Sequence, residues 1–411
     1  MGKVPVQQAK LPNLKYQHAG HTQNLPEYRK PLAFGIARIE YGQKSQAILS
    51  ATYPLLNWTD ENLGSYAVFF DALKAAKSLH SSDSEAIFGI TEGFIKRALE
   101  LYEPFLAESL TNSSTHRNIQ IILELQKALS RNLLYTHSGH FRYHLCVLYS
   151  DSKCESVESA YLKLLALSLG KAPLRSLQLD GIFGLLQNVA WSGTKPYELE
   201  WLRENEIRLK MEGSFPYIDF VDKFPRYLMQ VIPQYDNIRL LDSAKTRFGA
   251  YLGSGGYTQM PGASYVNFNA GALGACMNEG RISSSVIVGE GTDVGGGASI
   301  LGVLSGGNSE PITIGRNCLL GVNSSTGISL GDGCIVDGGI AVLAGTIFAI
   351  DKAEAEKIAE INQGFTIKDS GLYKGRELSG KHGVHYRQDS KSGKMIAFRS
   401  SRKIELNADL H

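Results

Sequence analysis

Residues 249–345 read GAYLGSGGYTQMPGASYVNFNAGALGACMNEGRISSSVIVGEGTDVGGGASILGVLSGGNSEPITIGRNCLLGVNSSTGISLGDGCIVDGGIAVLAG. An aliphatic residue returns every six positions through much of this stretch, a period that neither a strand nor an α-helix shows. Six-residue repeats are typical of a β-solenoid, in which each short face ends at a corner and one side chain per face points inward. The repeated positions are Ile282, Val288, Val294, Ile300, Ile314, Leu320, Leu330, Val336 and Val342.

The repeat loses its phase twice. The spacing is fourteen residues from Ile300 to Ile314 and ten from Leu320 to Leu330. An extra segment can leave a solenoid at a corner while the coil resumes above it. We therefore predict two protruding loops, LSGGNSEP at Leu304–Pro311 and SSTGIS at Ser324–Ser329, and loops on a rigid scaffold often carry sites.

Composition separates this coil from the rest of the chain. The 411 residues are 20% charged and 43% hydrophobic with a net charge of +2, which predicts two or three globular domains and does not call for a nucleic-acid partner. Residues 249–345 hold 24 of the 43 glycines, eight charged residues and no lysine. Such a coil needs covered flanks or identical neighbours, so we expect an oligomer.

Cysteine usage and the apolar runs bear on the compartment. The five cysteines are odd in number and fit no CxxC spacing, and Cys318 and Cys334 fall at small corner positions where a compact core residue is expected. The N-terminus MGKVPVQQAK has no apolar signal core, and no apolar run reaches membrane-spanning length. We expect a reduced, cytoplasmic protein without a membrane partner.

Three domains are predicted: an α/β domain at 1–240, the hexapeptide-repeat coil at 241–349, and a short mixed segment at 350–411 with one helix and a basic β tail. The tail carries ten Lys or Arg against three Asp or Glu between Gly364 and Lys403, which indicates a solvated surface or a phosphate-rich ligand. The predicted strands are LAFGIARIEYG, QAILSATYPLL and RYHLCVLYS, and the predicted helices are Tyr66–Leu79, Ser84–Tyr102, His116–Leu134, ESVESAYLKLLALSLG, Leu179–Trp191 and DKAEAEKIAEINQ.

Histidine, the usual general base, is absent from 145–381. A histidine base on the coil and a three-histidine zinc site are therefore not expected. Among the ionisable coil residues, Glu279 differs because ACMNEGRIS breaks the six-residue phase just before the regular rungs. A carboxylate among small apolar residues can act as a base or a nucleophile. The others, including Glu290, Asp293, Arg316 and Asp332, are expected on solvated faces.

Several segments closely resemble the tetrahydrodipicolinate N-succinyltransferase family in its longer form. They are GAYLGSG, VNFNAG, MNEGRISSSVIVGEGTDVGGGASILGVLSGGN, ITIGRNCLLGVNS, GISLGDGCIVDGG and YKGRELSG, between about Arg247 and Ser390. The resemblance implies a left-handed parallel β-helix that forms a homotrimer. It also implies transfer of succinyl from succinyl-CoA to the amino group formed when tetrahydrodipicolinate opens, in lysine and diaminopimelate biosynthesis.

The resemblance also assigns site residues. The family motif M-x-E-G-R implies that Glu279 is catalytic, either accepting the succinyl group as an acyl anhydride or acting as general base on the amine. Arg281 would bind the carboxylate or phosphates of succinyl-CoA, and Gly296 and Ser299 would lie against the thioester arm. Further CoA-binding positions implied are Val322, Asp337, Gly338, Gly345, Lys374, Arg387, Gln388, Asp389 and Ser390. Candidates for the acceptor's carboxylates are Asn267, Asn269, Ser305 and Asn308.

Relatives hold magnesium on the trimer axis through acidic residues just ahead of VNFNAG. Here that stretch reads QMPGASY and has no acid, so we expect no metal. Two alternatives stay open at this point. One is a hexapeptide-repeat acyltransferase with another acyl-CoA or acceptor, and the other is a non-catalytic solenoid that serves as an assembly subunit.

Overall fold

A computed structural model describes residues 22–111, 116–303 and 310–406. The chain divides into two compact units, one of 1–163 with 177–223 and one of 164–176 with 224–411. The three-domain division predicted above stays a prediction. Most of the predicted loop at 304–311, with Ser305 and Asn308, lies outside the described residues.

The first unit is built on an antiparallel sheet with the strand order β2-β1-β6-β5-β4. Strand β3 pairs with the start of β1, on the edge of β1 opposite β6. The three strands predicted for this part of the chain are confirmed as β1, β2 and β6. The strands are β1 (Ala33–Tyr41), β2 (Ile48–Thr52), β3 (Asn57–Trp58), β4 (Lys77–Ser81), β5 (Glu85–Gly89) and β6 (Tyr143–Leu148).

Four helices pack on this sheet around a core that includes Phe34, Phe69, Phe94 and Ile122. Burial of their apolar faces supplies most of the driving force for this layer. The helices are α1 (Leu63–Ala72), α2 (Glu92–Tyr102), α3 (Leu106–Thr111) and α4 (Arg117–Ser130); α5 (Val157–Ser168) follows β6.

Two helix predictions are wrong at one end. The helix predicted to reach Leu79 ends at Ala72, and a strand begins at Lys77 after a short 3₁₀ turn. The segment after Ser84 is strand β5, and α2 begins only at Glu92, where the Thr91 hydroxyl accepts a hydrogen bond from the Phe94 N–H at 3.1 Å. A strand buried on both faces shows no alternation, so its apolar run resembles a helix.

A smaller antiparallel sheet with the order β8-β7-β9 completes the first unit. The predicted helix Leu179–Trp191 is only partly correct, because it contains the short helix α6 (Ile182–Leu185) and then strand β7 (Val189–Ser192). The remaining elements are β8 (Lys195–Glu198), α7 (Leu199–Met211) and β9 (Phe220–Asp222).

The second unit is a coil of short parallel strands stacked into three faces. Backbone hydrogen bonds run from each turn to the next, and the inward side chains are almost fully buried. Face A begins with β10 (Arg239–Leu240), β12 (Tyr257–Gln259), β15 (Cys276–Asn278), β18 (Thr292–Val294), β21 (Leu319–Leu320) and β23 (Ile335–Val336). Face B holds β13 (Tyr265–Val266), β16 (Arg281–Ile282), β19 (Ser299–Ile300), β22 (Ser325–Thr326) and β24 (Ala341–Val342). Face C holds β11 (Tyr251–Leu252), β14 (Gly271–Ala272), β17 (Ile287–Val288) and β20 (Thr313–Ile314).

The coil confirms the six-residue repeat and corrects one of its predicted loops. Ser324–Ser329 does not protrude, because β22 pairs in parallel with β19 and β24 on face B. Thr326 takes the inward position six residues after Leu320 and is fully buried. The repeat loses its apparent phase because a polar residue occupies an aliphatic position and Leu330 follows Thr326 by only four positions instead of six.

The C-terminal segment returns to the coil. The predicted helix is confirmed as α9 (Lys352–Ile361), after a short α8 (Tyr227–Gln230) that precedes the coil. Strand β27 pairs in parallel with β23, and thereby extends face A by another rung. The other elements are β25 (Ile347–Ala349), β26 (Leu372–Lys374), α10 (Gly375–Leu378), β27 (Val384–Gln388) and β28 (Met395–Arg399).

Candidate active site

The A–B edge, where the chain passes from face A to face B, consists of residues 279–280, 295–298, 321–324 and 337–340. Its tightest corner has only Glu279 and Gly280 between β15 and β16. Asn278 makes this corner possible, since its buried Oδ1 accepts the Gly280 N–H at 3.0 Å and its Nδ2 donates to the Tyr257 hydroxyl at 3.1 Å. A buried amide must satisfy its hydrogen bonds, and here it shapes the turn that presents Glu279.

Glu279 lies against the next corner of the same edge. Its N–H donates to the Val294 carbonyl at 2.8 Å, and its carbonyl accepts from the Gly297 N–H at 3.0 Å. A Cβ atom added at Gly296 would lie 3.4 Å from Oε2 of Glu279. The half-buried Glu279 carboxylate therefore faces a glycine backbone that leaves the space beside it open to a chain-like ligand.

The backbone ladder continues along the edge. The Asn323 N–H donates to the Gly296 carbonyl at 2.9 Å, and the Gly339 N–H donates to the Val322 carbonyl at 2.9 Å. Three successive turns of this edge thus carry predicted positions: first Gly296, then Val322, then Asp337 with Gly338. Val322 is an apolar side chain with 60% of its surface exposed, so it does not belong to the core of the coil.

Arg281 extends from the start of β16 toward the corner at 295–298. Its Nε donates to the Ser299 hydroxyl at 3.3 Å, and its Nη2 donates to the Gly297 carbonyl at 3.4 Å. Both hydrogen bonds are long, so the exposed guanidinium keeps donors for a ligand. The structure therefore brings Glu279, Arg281, Gly296 and Ser299 together.

Asp337 is held by two residues of β27. Its Oδ1 lies 2.6 Å from Nε2 of His385, and its Oδ2 accepts from Nε of Arg387 at 2.5 Å. Burial acts to raise the pKa of Asp337, but the hydrogen bonds from Arg387 and His385 outweigh it and hold the pKa below its ordinary value. Arg387 therefore contacts the A–B edge through Asp337, and its CoA-binding role stays a prediction.

Gly345 and Lys374 belong to another corner. Gly345 follows β24. The residues on either side of it hydrogen-bond to the two residues after Lys374: the Gly375 N–H donates to the Thr346 carbonyl at 2.8 Å, and the Arg376 N–H donates to the Ala344 carbonyl at 3.0 Å. Both predicted residues are exposed, and Lys374 pairs with Ile347, which follows Gly345 by two positions.

Gln388, Asp389 and Ser390 lie where β27 turns into β28. Asp389 shapes this turn, because its carboxylate accepts from the Ser392 hydroxyl and from the N–H groups of Lys391 and Ser392. These hydrogen bonds, that of the Ser392 hydroxyl first, lower the pKa of Asp389. Gln388 Nε2 donates to the Gly393 carbonyl at 3.0 Å, and Ser390 is exposed.

The two described acceptor candidates have partners within the second unit. Asn267 Oδ1 accepts from Nη1 of Arg247 at 3.1 Å, and Asn269 Oδ1 accepts from the N–H of Arg175 at 2.7 Å. Arg175 is a residue that the sequence reasoning missed. Its guanidinium donates to the carbonyls of Ser285 and Ile312 and to the Thr313 hydroxyl across the edge between faces B and C.

His385 is a second residue that the sequence reasoning missed. The absence of histidine from 145–381 predicts no histidine base on the coil, and that expectation stays a prediction. His385 nevertheless lies on face A, opposite Ile335, because β27 rejoins the coil after a long excursion of the chain. The parallel register of β23 and β27 is not visible in sequence, although the alternation of Val384 and Tyr386 around it indicates a strand.

The residues ahead of VNFNAG do not fit a magnesium ion. Gln259 is fully buried, and its Oε1 accepts from the hydroxyls of Thr246 at 2.8 Å and Tyr257 at 3.0 Å. The Ser264 hydroxyl donates to the Met260 carbonyl. Across the described ranges 22–111, 116–303 and 310–406, no group of three or more His, Cys, Asp or Glu residues is arranged to hold a metal. We therefore assign no metal to this stretch.

Stacked six-residue turns with a carboxylate held against glycine at one edge are the features expected of a hexapeptide-repeat acyltransferase. Family profiles agree with this class. The N-terminal profile of tetrahydrodipicolinate N-succinyltransferase matches residues 15–184, its middle profile matches 186–226, and the hexapeptide repeat of succinyl-transferase matches 311–344.

Full-length relatives make the assignment specific. The chain is 64% identical to 2,3,4,5-tetrahydropyridine-2,6-dicarboxylate N-succinyltransferase of Helicobacter pylori over 96% of its own length and 97% of the relative's. It is 50% identical to the protein of that name from Campylobacter jejuni, over 93% and 95% of the two chains. A Campylobacter jejuni crystal structure described as a 2,3,4,5-tetrahydropyridine-2-carboxylate N-succinyltransferase superposes with a TM-score of 0.85 at 49% identity, covering 94% and 97% of the chains.

The chain belongs to the tetrahydrodipicolinate N-succinyltransferase family. The resemblance stated from its motifs is confirmed, and its coil is a left-handed parallel β-helix. It is a transferase of lysine and diaminopimelate biosynthesis, with succinyl-CoA as co-substrate. The relatives named above support neither a different acyltransferase nor a non-catalytic assembly subunit.

Proposed function

We propose that Glu279 carries the chemistry of succinyl transfer from succinyl-CoA to the amino group of ring-opened tetrahydrodipicolinate, giving N-succinyl-2-amino-6-oxopimelate. The observation that carries the proposal is the position of its carboxylate, 3.4 Å from where a Cβ on Gly296 would lie and beside the Arg281–Ser299 pair. An acyl donor whose thioester lies along this glycine has its carbonyl next to Glu279. Holding the reactants in this way supplies much of the rate enhancement.

Two routes use the same geometry. In the first, Glu279 accepts a proton from the amine as nitrogen attacks the thioester carbonyl, and CoA leaves as a thiolate that takes up a proton. In the second, the carboxylate itself attacks, CoA leaves, and the amine then cleaves the resulting anhydride and frees Glu279. Incubation with succinyl-CoA alone followed by hydroxylamine separates them, because only the second route forms an anhydride that hydroxylamine can convert to a hydroxamate on Glu279, which mass spectrometry detects.

Binding of the CoA moiety is assigned to the other edge residues. Arg281 has guanidinium donors that its two long intrachain hydrogen bonds leave available for a carboxylate or phosphate. Gly296, Ser299, Val322 and Gly338 would line the pantetheine arm, with Asp337 and Arg387 beside them. Gly345, Lys374, Gln388, Asp389 and Ser390 would contact its far end. Asn267 and Asn269 remain candidates for the acceptor's carboxylates.

We propose a homotrimer. The coil carries few charges, and apolar Val322 is exposed on the A–B edge, which favours contact with an identical neighbour. Light scattering should give three times the 44.9 kDa mass of the chain. A single-chain mass in dilute buffer would contradict the proposal.

We also propose that the protein works in the cytoplasm. All five cysteines are free and buried, as suits a reducing compartment. No helix among the described residues is both long and apolar enough to span a bilayer. Fractionation of cells followed by immunoblotting with an antibody against this chain tests the location.

The central experiment follows thiol release from succinyl-CoA with tetrahydrodipicolinate as acceptor. Glu279→Gln is expected to lower the rate by about 10² to 10⁴ while the chain stays folded, because a carboxamide is neither a base nor a nucleophile. Glu290→Gln, at an exposed corner on the edge between faces C and A, is the matched control and should keep the wild-type rate. Equal rates for wild type and Glu279→Gln would remove Glu279 from the chemistry.

A further inference from the structure

A cavity of about 420 Å³ lies wholly within the first unit, between helix α4 and the face of strand β1. Its wall includes Ile36, Ile121, Leu125 and Ala128. The three helical residues follow the spacing of one apolar face, so the cavity runs along the helix beside an apolar surface. Its volume is in the range of small-molecule sites.

The rim of the cavity is cationic. Arg38, Arg117, Lys127 and Arg131 line it together with one acid, Glu124. Glu124 is already paired with Lys127 at 2.6 Å, and Arg38 pairs with Glu40. A positive charge therefore remains at the rim after the internal pairs are counted.

Arg131 is the residue at the rim with the greatest capacity to bind an anion. Within the described part of the chain, its guanidinium makes no hydrogen bond or ion pair, whereas Arg117 donates to the Pro54 carbonyl at 3.4 Å. Arg131 directly follows the last residue of α4, so it lies at one end of the apolar wall. A guanidinium in this position can bind a carboxylate with two parallel hydrogen bonds.

The wall sets the form of the ligand. A neutral apolar molecule would leave Arg131 without an anionic partner, and a small inorganic anion would leave the apolar wall uncovered. Ile121 and Ala128 are separated by about 10 Å along the helix axis. The extended chain of a medium-length fatty acid has a similar length.

We propose that this cavity is a binding site for a medium-chain carboxylate, with the carboxylate on Arg131 and the hydrocarbon chain along Ile121, Leu125 and Ala128. The site shares no residue with those assigned to succinyl transfer, and the proposal does not depend on those assignments.

The wild-type chain tests the chemistry first. Isothermal titration of the full-length protein with octanoate should give one site per chain. Octanol has the same tail without the charge and should bind at least about tenfold more weakly than octanoate. Octylammonium should not bind. Octanol binding as tightly as octanoate, no octanoate binding, or several octanoate molecules per chain would each overturn the proposal.

Two variants then separate the head group from the tail. Arg131→Gln should weaken octanoate about tenfold and leave octanol unchanged, because it removes only the charged partner. Ala128→Met places a larger side chain in the cavity and should weaken the binding of both ligands. Arg203→Gln, an exposed arginine on α7, is the control and should leave both affinities unchanged. Thermal unfolding verifies that each variant is folded. Unchanged octanoate affinity in both Arg131→Gln and Ala128→Met would place the ligand elsewhere.

Discussion

His385 Nε2 lies 2.6 Å from Oδ1 of Asp337, although the two are 48 positions apart in sequence. The contact exists because β27 adds a rung to face A, which sets His385 opposite Ile335. The same rung brings Nε of Arg387 to 2.5 Å from Oδ2 of Asp337. One carboxylate on the A–B edge is thus fixed by two residues that the chain supplies only after it has left the coil.

The Asp337 cluster predicts how stability depends on pH. Its folded-state pKa lies below the ordinary value, so the cluster stabilises the protein fully above the ordinary aspartate pKa and loses this contribution as pH falls through the folded-state pKa. Asp337→Asn removes the contribution. The difference in free energy of unfolding between wild type and Asp337→Asn should therefore shrink as pH falls below about 4.

Urea unfolding over a pH series measures this difference. Asp369→Asn changes an exposed aspartate of the same C-terminal segment and should show no such trend. A wild-type advantage over Asp337→Asn that stays constant down to acid pH would contradict the assignment of the low pKa to this cluster.

Two adjacent glycines should respond differently to alanine. Gly297 has a φ of +71°, and a Cβ there would lie 2.3 Å from Oδ1 of Asn323, so Gly297→Ala should lower the free energy of unfolding by about 1–2 kcal/mol or more. A Cβ at Gly296 would make only ordinary van der Waals contact, and its nearest neighbour would be Oε2 of Glu279 at 3.4 Å. Gly296→Ala should keep wild-type stability and lower the turnover rate about tenfold, because it displaces the thioester.

Chemical denaturation and steady-state kinetics on the same two preparations test this pair of glycines. Wild-type turnover in a stable Gly296→Ala variant would show that the acyl chain does not pass along this corner.

Arg281 should act mainly on binding of the acyl donor. Arg281→Gln should raise KM for succinyl-CoA about tenfold with a smaller effect on kcat, because it removes a charge-assisted contact made in both the ground state and the transition state. Arg316→Gln, at the exposed corner 315–318 on another edge, serves as control and should leave KM unchanged. A change confined to kcat would show instead that Arg281 makes its contact only in the transition state.

Thr326 offers a stabilising substitution. Its Oγ1 is buried and has no hydrogen-bond partner among the described residues, at a position where other turns carry an aliphatic side chain. Thr326→Val should raise the free energy of unfolding by about 1 kcal/mol, since burying an unpaired hydroxyl is costly.

Thr292 is the matched control for Thr326. It is equally buried, but its hydroxyl donates to the Gly315 carbonyl at 2.8 Å and accepts from the Cys318 N–H at 3.1 Å. Thr292→Val should lower the free energy of unfolding by about 1–3 kcal/mol. The same sign for both valine variants in thermal or urea unfolding would contradict the difference in hydrogen bonding.

The repeating coil and the position of its unusual corner follow from the amino-acid pattern alone. A six-residue period fixes which side chains point inward, because each turn repeats the local geometry of the previous one. The break in phase at ACMNEGRIS marked Glu279, and the coil does have its tightest described corner there. These features are local, so residues close in the chain are sufficient to specify them.

Which distant residues join the coil depends on the folded chain and cannot be predicted from local patterns. The pairing of β27 with β23 and the contacts of Arg175 with Ser285 and Thr313 depend on registers between segments far apart in sequence. Thr326 shows the same limit at short range, because stacking on β19 and β24, rather than its own polarity, places it inside. Local patterns specify the direction of a side chain, whereas the choice of its neighbour depends on packing across the whole unit.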